Sequence, residues 1–453
     1  MLASLALALL PPHAAPAADP PRFRVVCHFG SPAVAEQARA AAEATWPIVA
    51  GLLGSGRERP DEPLEVHLYR SAEDYRRADR ELTGGAFERN LAFAHFDSRS
   101  AHVALQPPVS DAVLERQGLP VGTLRLVAHE AAHLVRYSVA PNHRWHPGWL
   151  VDGLATWTEQ RVLEGLGRSA GLEDDPWIGR DFLRARDLLE AGRLPSAADL
   201  LADRTGSLDF YDRYAARSTF LFFLRGPAWR SRSDALLREV LRIGGGPEHA
   251  ARVRDAAFEH LADATSTEPW AAVDAAWAAF LRSVEPGWDE QLRLLDTSRG
   301  PWLQAAFPDV RALAWRTRAP EGPDYAIAGA LAILPGAGDQ LNLHLGRSDD
   351  GYLAVTFKAG YGVNLFDYRS GRADGDDWLM LARAPTERLA ETLAAGEPAP
   401  FRVTVRGGRV AVDLDGARLL EVEVDPARTA GAWGLGAQRG SVGLWERVRV
   451  EAP

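Results

Sequence analysis

The stretch GTLRLVAHEAAHLVRYS, residues 122–138, decides the fold of the first part of the chain. Its apolar side chains recur with the period of an α-helix and form one stripe, made of Leu124, Val127, Ala131, Leu134 and Val135. Such a stripe has to be covered by other elements of the protein. The sequence therefore predicts a helix that packs into a core at residues 122–138.

Residues 129–133 of this helix have the sequence HEAAH. His129 and His133 are four residues apart, so their imidazoles project from one helix face and can share a metal ion. Glu130 lies about 100° around the helix, where it can reach a water molecule beside the metal without binding the metal itself. Zinc with three protein ligands keeps a position open for water and polarises a carbonyl. The pattern predicts a hydrolytic zinc centre with His129 and His133 as ligands and Glu130 as general base.

The third ligand is expected to be a carboxylate or a histidine that a following element carries back to the metal. The next helix is predicted from Trp149 to about Leu166. Asp152 on that helix is separated from His133 by 18 residues and is a candidate. Glu159, one to two turns further along the same helix, is the alternative. Cys27 is the only cysteine, so a cysteine-based zinc site and an intrachain disulfide are both excluded.

These residues resemble the gluzincin superfamily of zinc metallopeptidases, and within it the bacterial peptidase MA-like proteins. In that superfamily HExxH is followed after about 18 residues by a Glu within a W-L-x-E-G-x-A segment. This chain has WLVDGLA at 149–155, with Asp152 in place of the Glu. The resemblance covers roughly residues 60–290. It implies Asp152 as the third zinc ligand, although its side chain is about 1.5 Å shorter than that of glutamate.

The same resemblance implies a downstream residue that stabilises the oxyanion and places it on FYDRYAARSTFLFFL, residues 210–224. Tyr214 is the expected hydroxyl donor and Tyr211 the second choice. A tyrosine that packs in the helical core with its hydroxyl satisfied is the structural alternative. The resemblance also implies that AHVALQ, residues 101–106, is an edge strand along which an extended peptide pairs. His95 and His102 are expected at the surface.

The predicted elements divide the chain into two parts. Strands are predicted at 22–29 and 64–70, and two short strands within 90–108. The segment 176–300 keeps helical periodicity. The fold class is therefore an α+β metallopeptidase domain, residues 19–298, with a small mixed sheet, an active-site helix and a helical subdomain.

The pattern changes near Pro301, after which strands alternate with hairpin signals at Gly407-Gly408 and Asp415-Gly416. Residues 301–453 are predicted to form an all-β sandwich. This part resembles concanavalin A-like and laminin G-like sandwiches, similar to domains of the 3-keto-disaccharide hydrolase family. The resemblance implies a module that binds glycan, or a domain that serves only as a spacer.

The ends and the charge of the chain bear on its location and partners. Residues 2–10, LASLALALL, have the length of a signal-peptide core, so residues 1–18 are expected to be a signal peptide. No later segment has the roughly 18 apolar residues that span a bilayer. The net charge of −10 argues against a nucleic-acid partner. We expect a secreted or periplasmic protein with a peptide or protein substrate.

Two functions are consistent with the sequence. The first is an exported zinc metallopeptidase that hydrolyses peptide bonds; it is expected to be an endopeptidase, because no exopeptidase G-x-M-E-N motif is present. The second is a catalytically inactive peptidase-like envelope protein that binds glycan through its C-terminal sandwich. The intact Glu130 favours the first.

Overall fold

The computed structural model describes most of the chain from residue 21 onward. The described ranges are 21–29, 32–105, 114, 118–140, 142–167, 176–284, 294–297, 300–304, 312–316, 319–333, 340–359, 361–369, 377–385, 398–438 and 442–453. The expected signal peptide, residues 1–18, lies outside them.

The first part contains a mixed four-stranded sheet, as predicted. Its strands are β1 (Phe23–Cys27), β2 (Leu64–Tyr69), β3 (Ala92–His95) and β4 (Ser100–Ala104). The order across the sheet is β1-β2-β4-β3, with β1, β2 and β4 parallel and β3 antiparallel to β4. Because β4 pairs on both sides, the expectation that AHVALQ forms an edge strand is wrong. The edge strand beside it is β3.

Ten helices lie within the described residues of this first part. They are α1 (Pro32–Leu52), α2 (Ala72–Thr83), α3 (Val121–Val139), α4 (Gly148–Gly165), α5 (Pro176–Glu190), α6 (Ala197–Leu201), α7 (Phe210–Leu224), α8 (Arg230–Val240), α9 (His249–Leu261) and α10 (Ala271–Ser283). The five residues of the predicted apolar stripe on α3 are all buried in the main core. This core gives the HEAAH helix a fixed position, since interior side chains pack at high density.

A turn of 3-10 helix, His143–Trp145, links α3 to α4. Arg136 Nη1 donates to the carbonyl of His143 at 2.8 Å, and His146 Nε2 lies 3.0 Å from Asn142 Oδ1. Burial lowers the pKa of His146 to about 3, so this histidine is neutral at physiological pH. These bonds tie the start of α4, which carries Asp152, to the end of the HEAAH helix.

The second part is a sandwich of two antiparallel sheets, as predicted. Its strands are β5 (Leu294–Thr297), β6 (Gly300–Gln304), β7 (Ala312–Trp315), β8 (Tyr325–Ile333), β9 (Gln340–Ser348), β10 (Gly351–Lys358), β11 (Gly362–Arg369), β12 (Trp378–Ala384), β13 (Ala399–Arg406), β14 (Arg409–Leu414), β15 (Ala417–Glu423), β16 (Ala432–Gln438) and β17 (Val442–Glu451). One sheet has the order β12-β11-β10-β9-β16-β7 and the other β15-β14-β13-β8-β17-β6-β5. The second sheet thus includes β5, which lies N-terminal to Pro301, and β6, which contains Pro301. The predicted start of the sandwich at residue 301 is therefore too late, because these two strands pair with each other and β6 pairs with β17.

Both predicted hairpin turns are present. Gly407 and Gly408 have φ values of 56° and 76°, and Asp415 and Gly416 have 51° and 77°. Two successive left-handed residues are what the favoured two-residue hairpin turns require. These turns fix the register of β13 with β14 and of β14 with β15.

No helix in the described part of the chain is long and apolar enough to cross a membrane.

Candidate metal centre

The two histidines of HEAAH lie side by side on one face of α3. Their ring centroids are 4.9 Å apart and their planes are nearly perpendicular. No hydrogen bond joins the His133 ring to another described residue, so its nitrogens remain available to a ligand. Glu130 lies on the same helix and is buried.

Glu159 holds His129 from α4. Its Oε2 lies 2.9 Å from Nδ1 of His129, and its Oε1 accepts a hydrogen bond of 3.2 Å from Arg125 Nη1. The side chains of Arg125 and Glu159 are only 2% and 3% exposed. A carboxylate on one imidazole nitrogen fixes the tautomer and orients the ring, as in the outer shell of zinc sites. Nε2 of His129 is then the nitrogen that can bind a metal.

Asp152 comes from the first turns of α4 and is held by Arg217 of α7. Arg217 Nη1 donates to Asp152 Oδ2 at 2.7 Å, and its Nη2 donates to Asp203 Oδ1 at 2.8 Å. Among the described residues nothing forms a hydrogen bond with the other oxygen of Asp152, Oδ1. The expected third ligand is therefore ion-paired through one oxygen only.

Tyr214 lies next to His129, with 6.2 Å between the two ring centroids. Its hydroxyl is 2.7 Å from Thr156 Oγ1. Because Thr156 Oγ1 donates to the Asp152 carbonyl at 3.0 Å, the Tyr214 hydroxyl donates to Thr156. Tyr211, the second choice for the oxyanion donor, is 60% exposed and contacts Phe210. Tyr214 is thus the tyrosine that the fold brings beside the histidines.

Burial, together with the charges of the centre, shifts the pKa values of its groups. Burial raises the pKa of Glu130 to about 7, with the charge of His129 opposing the rise and the charges of Glu159 and Asp152 adding to it. Burial acts to lower the pKa of His129, but the hydrogen bond and charge of Glu159 outweigh it and raise the pKa to about 9. Burial lowers the pKa of His133 well below its usual value. A carboxyl group with a pKa near 7 suits both removal and delivery of a proton.

Asp181 of α5 is a further buried acid near this centre. Burial raises its pKa to about 7, and the charges of Arg180 and Glu159 act on it in opposite directions. Its Oδ2 is buried and has no hydrogen-bond partner among the described residues. No sequence pattern pointed to Asp181, because a single aspartate in an amphipathic helix resembles any surface acid.

The donor set fits zinc in chemistry, but the three expected ligands do not converge as a finished site. Two imidazoles and a carboxylate are ligands that zinc takes in catalytic sites. Within the described ranges, however, no three His, Cys, Asp or Glu side chains are grouped so as to hold a metal ion. The donors whose chemistry suits zinc are the oriented ring of His129, the ring of His133 and the carboxylate of Asp152.

Sequence reasoning missed the two arginines of the centre. Arg125 precedes His129 by one helical turn, and Arg217 follows Tyr214 by three residues, so each lies on the same helix face as a named site residue. The spacings of four and three residues were the sequence feature that could have identified these two arginines. His102, expected at the surface, is buried instead, between the Tyr69 hydroxyl at 2.9 Å and Ser100 Oγ at 2.8 Å. The expectation failed because β4 is an interior strand.

No protein-family model matches the sequence, and no curated protein matches it either. Solved structures are similar to about a third of the chain. A carbohydrate-binding module from Bacillus subtilis is 16% identical, with a TM-score of 0.31 over 37% of this chain and 96% of its own. A galectin from Caenorhabditis elegans is 13% identical, with a TM-score of 0.22 over 33% of this chain and 95% of its own. A legume lectin-like domain from Entamoeba histolytica is 7% identical, with a TM-score of 0.31 over 37% and 90%. Similarities at this level carry no statement about ligand or activity.

Proposed function

We propose that the chain is an exported, zinc-dependent metallopeptidase that cleaves peptide bonds within its substrates. His129, His133 and Asp152 would hold the zinc ion. When bound, zinc supplies Lewis acidity, which polarises a peptide carbonyl and acidifies water. The remaining steps belong to residues of the chain.

One observation carries the proposal more than any other, the hydrogen bond between Nδ1 of His129 and Oε2 of Glu159. If the two histidines occurred on a surface helix by chance, a buried carboxylate bonded to one of them would not be expected. Burying the charges of Glu159 and Arg125 raises the free energy of the folded state through desolvation. Only ion pairs and hydrogen bonds of good geometry offset this penalty. Such an arrangement is typical of a histidine that binds a metal.

Glu130 is the proton carrier of the proposed reaction. Its carboxylate can accept a proton from the attacking water and return that proton to the leaving amine. It is buried on the same helix as the two histidines, so bulk water does not compete for its carboxylate.

Tyr214 is the proposed donor to the oxyanion. Its ring lies against His129, and its hydroxyl is held by Thr156 at 2.7 Å. To act, the hydroxyl has to exchange this bond for one to the substrate oxygen, which a change in one side-chain torsion allows. A phenolic donor at this position would stabilise the negative charge that develops on the carbonyl oxygen.

The test of the proposal is digestion of casein and of a peptide library by the zinc-loaded full chain. We expect internal cleavage that a chelator abolishes and that zinc restores. The variant Glu130→Gln should keep its zinc and lose hydrolysis, since an amide cannot accept the proton. The matched control is Glu164→Gln on α4, which should cleave as the wild type does. Cleavage that persists in Glu130→Gln would refute the proposed role.

Glycan binding by the sandwich remains a second candidate, and one surface supports it. The rings of Phe366, Tyr368 and Trp378 lie together on β11 and β12, with centroids of Tyr368 and Trp378 only 4.8 Å apart. Met380 next to them is 51% exposed. Aromatic side chains of this kind combine apolar faces with polar edges and are common in binding sites.

The glycan candidate is tested with a panel of bacterial envelope glycans and the full chain, by calorimetry. If the sandwich binds glycan, Trp378→Ala should weaken binding by about 10-fold or more, the loss of one buried aromatic contact. Trp145→Ala, which removes an exposed tryptophan from the first part of the chain, is the control and should bind normally. Equal binding by both variants would exclude this surface.

A further inference from the structure

We infer that the outer face of the six-stranded sheet binds an acidic oligosaccharide built of uronic acids. The inference rests on the glycan-binding candidate of the proposed function, and it names the class of glycan. It extends that candidate from the aromatic rings of β11 and β12 to a row of polar side chains and a pair of cations on the same sheet.

Three polar side chains form a row across neighbouring strands of this sheet. Asn342 of β9 lies directly opposite Thr356 of β10, and Thr356 lies directly opposite Asn364 of β11. Directly opposite residues of an antiparallel pair share one face of the sheet. The core between the two sheets contains the residues next to them in the sequence, which are Leu341, Leu343, Val355, Phe357, Val363 and Leu365. Because successive side chains of a strand alternate between faces, the polar row lies on the outer face.

The polar row is buried without a full set of hydrogen bonds. Asn342, Thr356 and Asn364 are only 1%, 3% and 7% exposed. The Oδ1 atom of Asn342 accepts a hydrogen bond of 3.1 Å from Gln340 Nε2. The three side chains form no other hydrogen bond with the described part of the chain. Buried polar groups are nearly always satisfied, so this row takes its remaining partners from outside the protein.

The polar row matches the chemistry of sugar hydroxyls. A hydroxyl group both donates and accepts hydrogen bonds, and so do the amides of Asn342 and Asn364 and the hydroxyl of Thr356. The row contains no charged side chain, so it suits the uncharged part of a glycan. It does not by itself distinguish an acidic glycan from a neutral one.

Two cations border the row and make this distinction. Arg383 of β12 lies directly opposite Asn364, and Lys358 follows Thr356 by two residues, so both share the outer face with the row. Both lie over the ring of Tyr361, with 5.7 Å from Arg383 Cζ and 4.2 Å from Lys358 Nζ to the ring centroid. Arg383 is exposed and forms no ion pair with any carboxylate of the described ranges. A guanidinium binds a carboxylate through two parallel hydrogen bonds, so this end of the face suits the carboxylate of a uronic acid.

The charge of the whole chain makes this local group of cations significant. The chain has a formal net charge of −10 and therefore repels acidic ligands in general. Attraction to an acidic glycan has to come from cations that are grouped at one place. Arg383 and Lys358 form such a group beside the polar row.

An aromatic cluster lies on the same face beyond the polar row. Tyr368 lies opposite Tyr352 on one side and Trp378 on the other, with 4.8 Å between the ring centroids in each pair. Four residues along β10 separate Thr356 from Tyr352, a distance of about 14 Å in a strand. A ligand that contacts the cations, the row and the rings is therefore longer than one sugar. Its apolar faces would pack on the rings and its carboxylate on Arg383.

The experiment measures binding of uronic acid hexamers to the full chain by calorimetry. The probes are hexamers of galacturonic, mannuronic and glucuronic acid, each compared with its methyl ester. We expect at least one acid to bind, and its ester to bind about 10-fold or more weakly, because hydrogen bonds to a charged group are the stronger ones. Added salt should weaken binding of the acid and leave binding of the ester nearly constant.

Variants assign this binding to the outer face. Arg383→Gln should weaken binding of the acid about 10-fold or more and leave binding of the ester unchanged. Arg406→Gln is the matched control, because Arg406 is an exposed arginine on β13 of the other sheet, and it should bind as the wild type does. Thr356→Val keeps the shape of the side chain and removes its hydroxyl, so it should weaken acid and ester alike by about 2- to 10-fold. Thermal unfolding shows whether each variant is folded.

The results that overturn the inference differ from those that overturn the glycan candidate. Equal binding of acid and ester, no binding of any uronic acid hexamer, or unchanged binding in a folded Arg383→Gln protein overturns the acidic ligand. Binding of a neutral envelope glycan that Trp378→Ala weakens would still support the candidate. A chain that binds neither acidic nor neutral glycans overturns both.

Discussion

The Nδ1 atom of His129 lies 2.9 Å from the Oε2 atom of Glu159, and this contact links α3 to α4 at the centre of the site. Glu159 was the alternative third ligand in the sequence, further along the same helix than Asp152. In the structure both of its oxygens are engaged, one by His129 and one by Arg125. Because both oxygens of Glu159 are engaged, Asp152 is the carboxylate that we propose as the third zinc ligand.

The first prediction concerns the pair Glu159 and Arg125. Glu159→Ala removes the buried carboxylate that bonds both Arg125 and His129, so we expect the free energy of unfolding to fall by about 3–5 kcal/mol. Denaturation by urea measures it. Glu164→Ala on the same helix carries a partly exposed ion pair and should change stability by less than about 0.5 kcal/mol. An equal loss of unfolding free energy in the two variants would mean that the buried pair stabilises the protein no more than the partly exposed pair does.

The second prediction concerns the approach of α4 to α7 at Gly153. A Cβ there would lie 2.8 Å from the Arg217 carbonyl oxygen and 3.0 Å from Leu221 Cβ, so the helices have to move apart. We expect Gly153→Ala to destabilise the protein by about 1–3 kcal/mol in thermal unfolding. Gly165→Ala, at the end of the same helix, meets nothing within 4 Å and should be neutral or stabilising. A neutral Gly153→Ala would contradict the close packing described here.

The sequence predicted the local elements of the site well. The helix expected at 122–138 is Val121–Val139, and the one expected from Trp149 is Gly148–Gly165. Periodic apolar residues determine both, because each helix buries one face against a core. The hairpins at Gly407-Gly408 and Asp415-Gly416 were also predicted from local sequence, because these residue pairs favour the left-handed backbone that the turns require.

The contacts between distant segments could not be predicted. The contact of Arg217 with Asp152 joins residues 65 positions apart, and nothing in either local pattern specifies it. The position of β4 between β2 and β3 depends on a parallel pairing over a long crossover, which the sequence of the strand does not encode. The sequence left two candidate carboxylates for the third ligand, Asp152 and Glu159. The side chains that bond to each of them could be identified only from the structure.

The third prediction concerns pH. Burial lowers the pKa of His102 to about 3, with the charges of nearby histidines adding to the effect. The unfolded chain, where the pKa is about 6.5, takes up the proton first as the pH falls. His102 thus contributes stability above pH 6.5 that is lost between about pH 6.5 and 3.

His102→Gln tests this contribution, because glutamine can still accept from Tyr69 and donate to Ser100 without titrating. The free energy of unfolding is measured with urea at pH 7.5 and at pH 4.5. It should fall less between these two pH values in the variant than in the wild type. Identical losses would show that His102 does not couple folding to pH.

The fourth prediction concerns Tyr214. Tyr214→Phe keeps the ring against His129 and removes only the hydroxyl, so zinc content should stay constant while turnover falls by about 10²-fold. Thr156→Val is the control, because it removes the partner of the hydroxyl and leaves the hydroxyl itself. Steady-state kinetics with a peptide substrate measures both. Unchanged turnover in Tyr214→Phe would exclude the oxyanion role.

The most direct test of the whole account is the zinc content of the purified full chain after dialysis, with Asp152→Ala measured beside it. We expect about one zinc per wild-type chain and almost none in Asp152→Ala, because two histidines alone hold zinc too weakly. Glu130→Gln should retain its zinc, since Glu130 carries protons and does not bind the metal. A wild-type chain without zinc, or an Asp152→Ala chain that keeps one zinc, would contradict the metal centre proposed here.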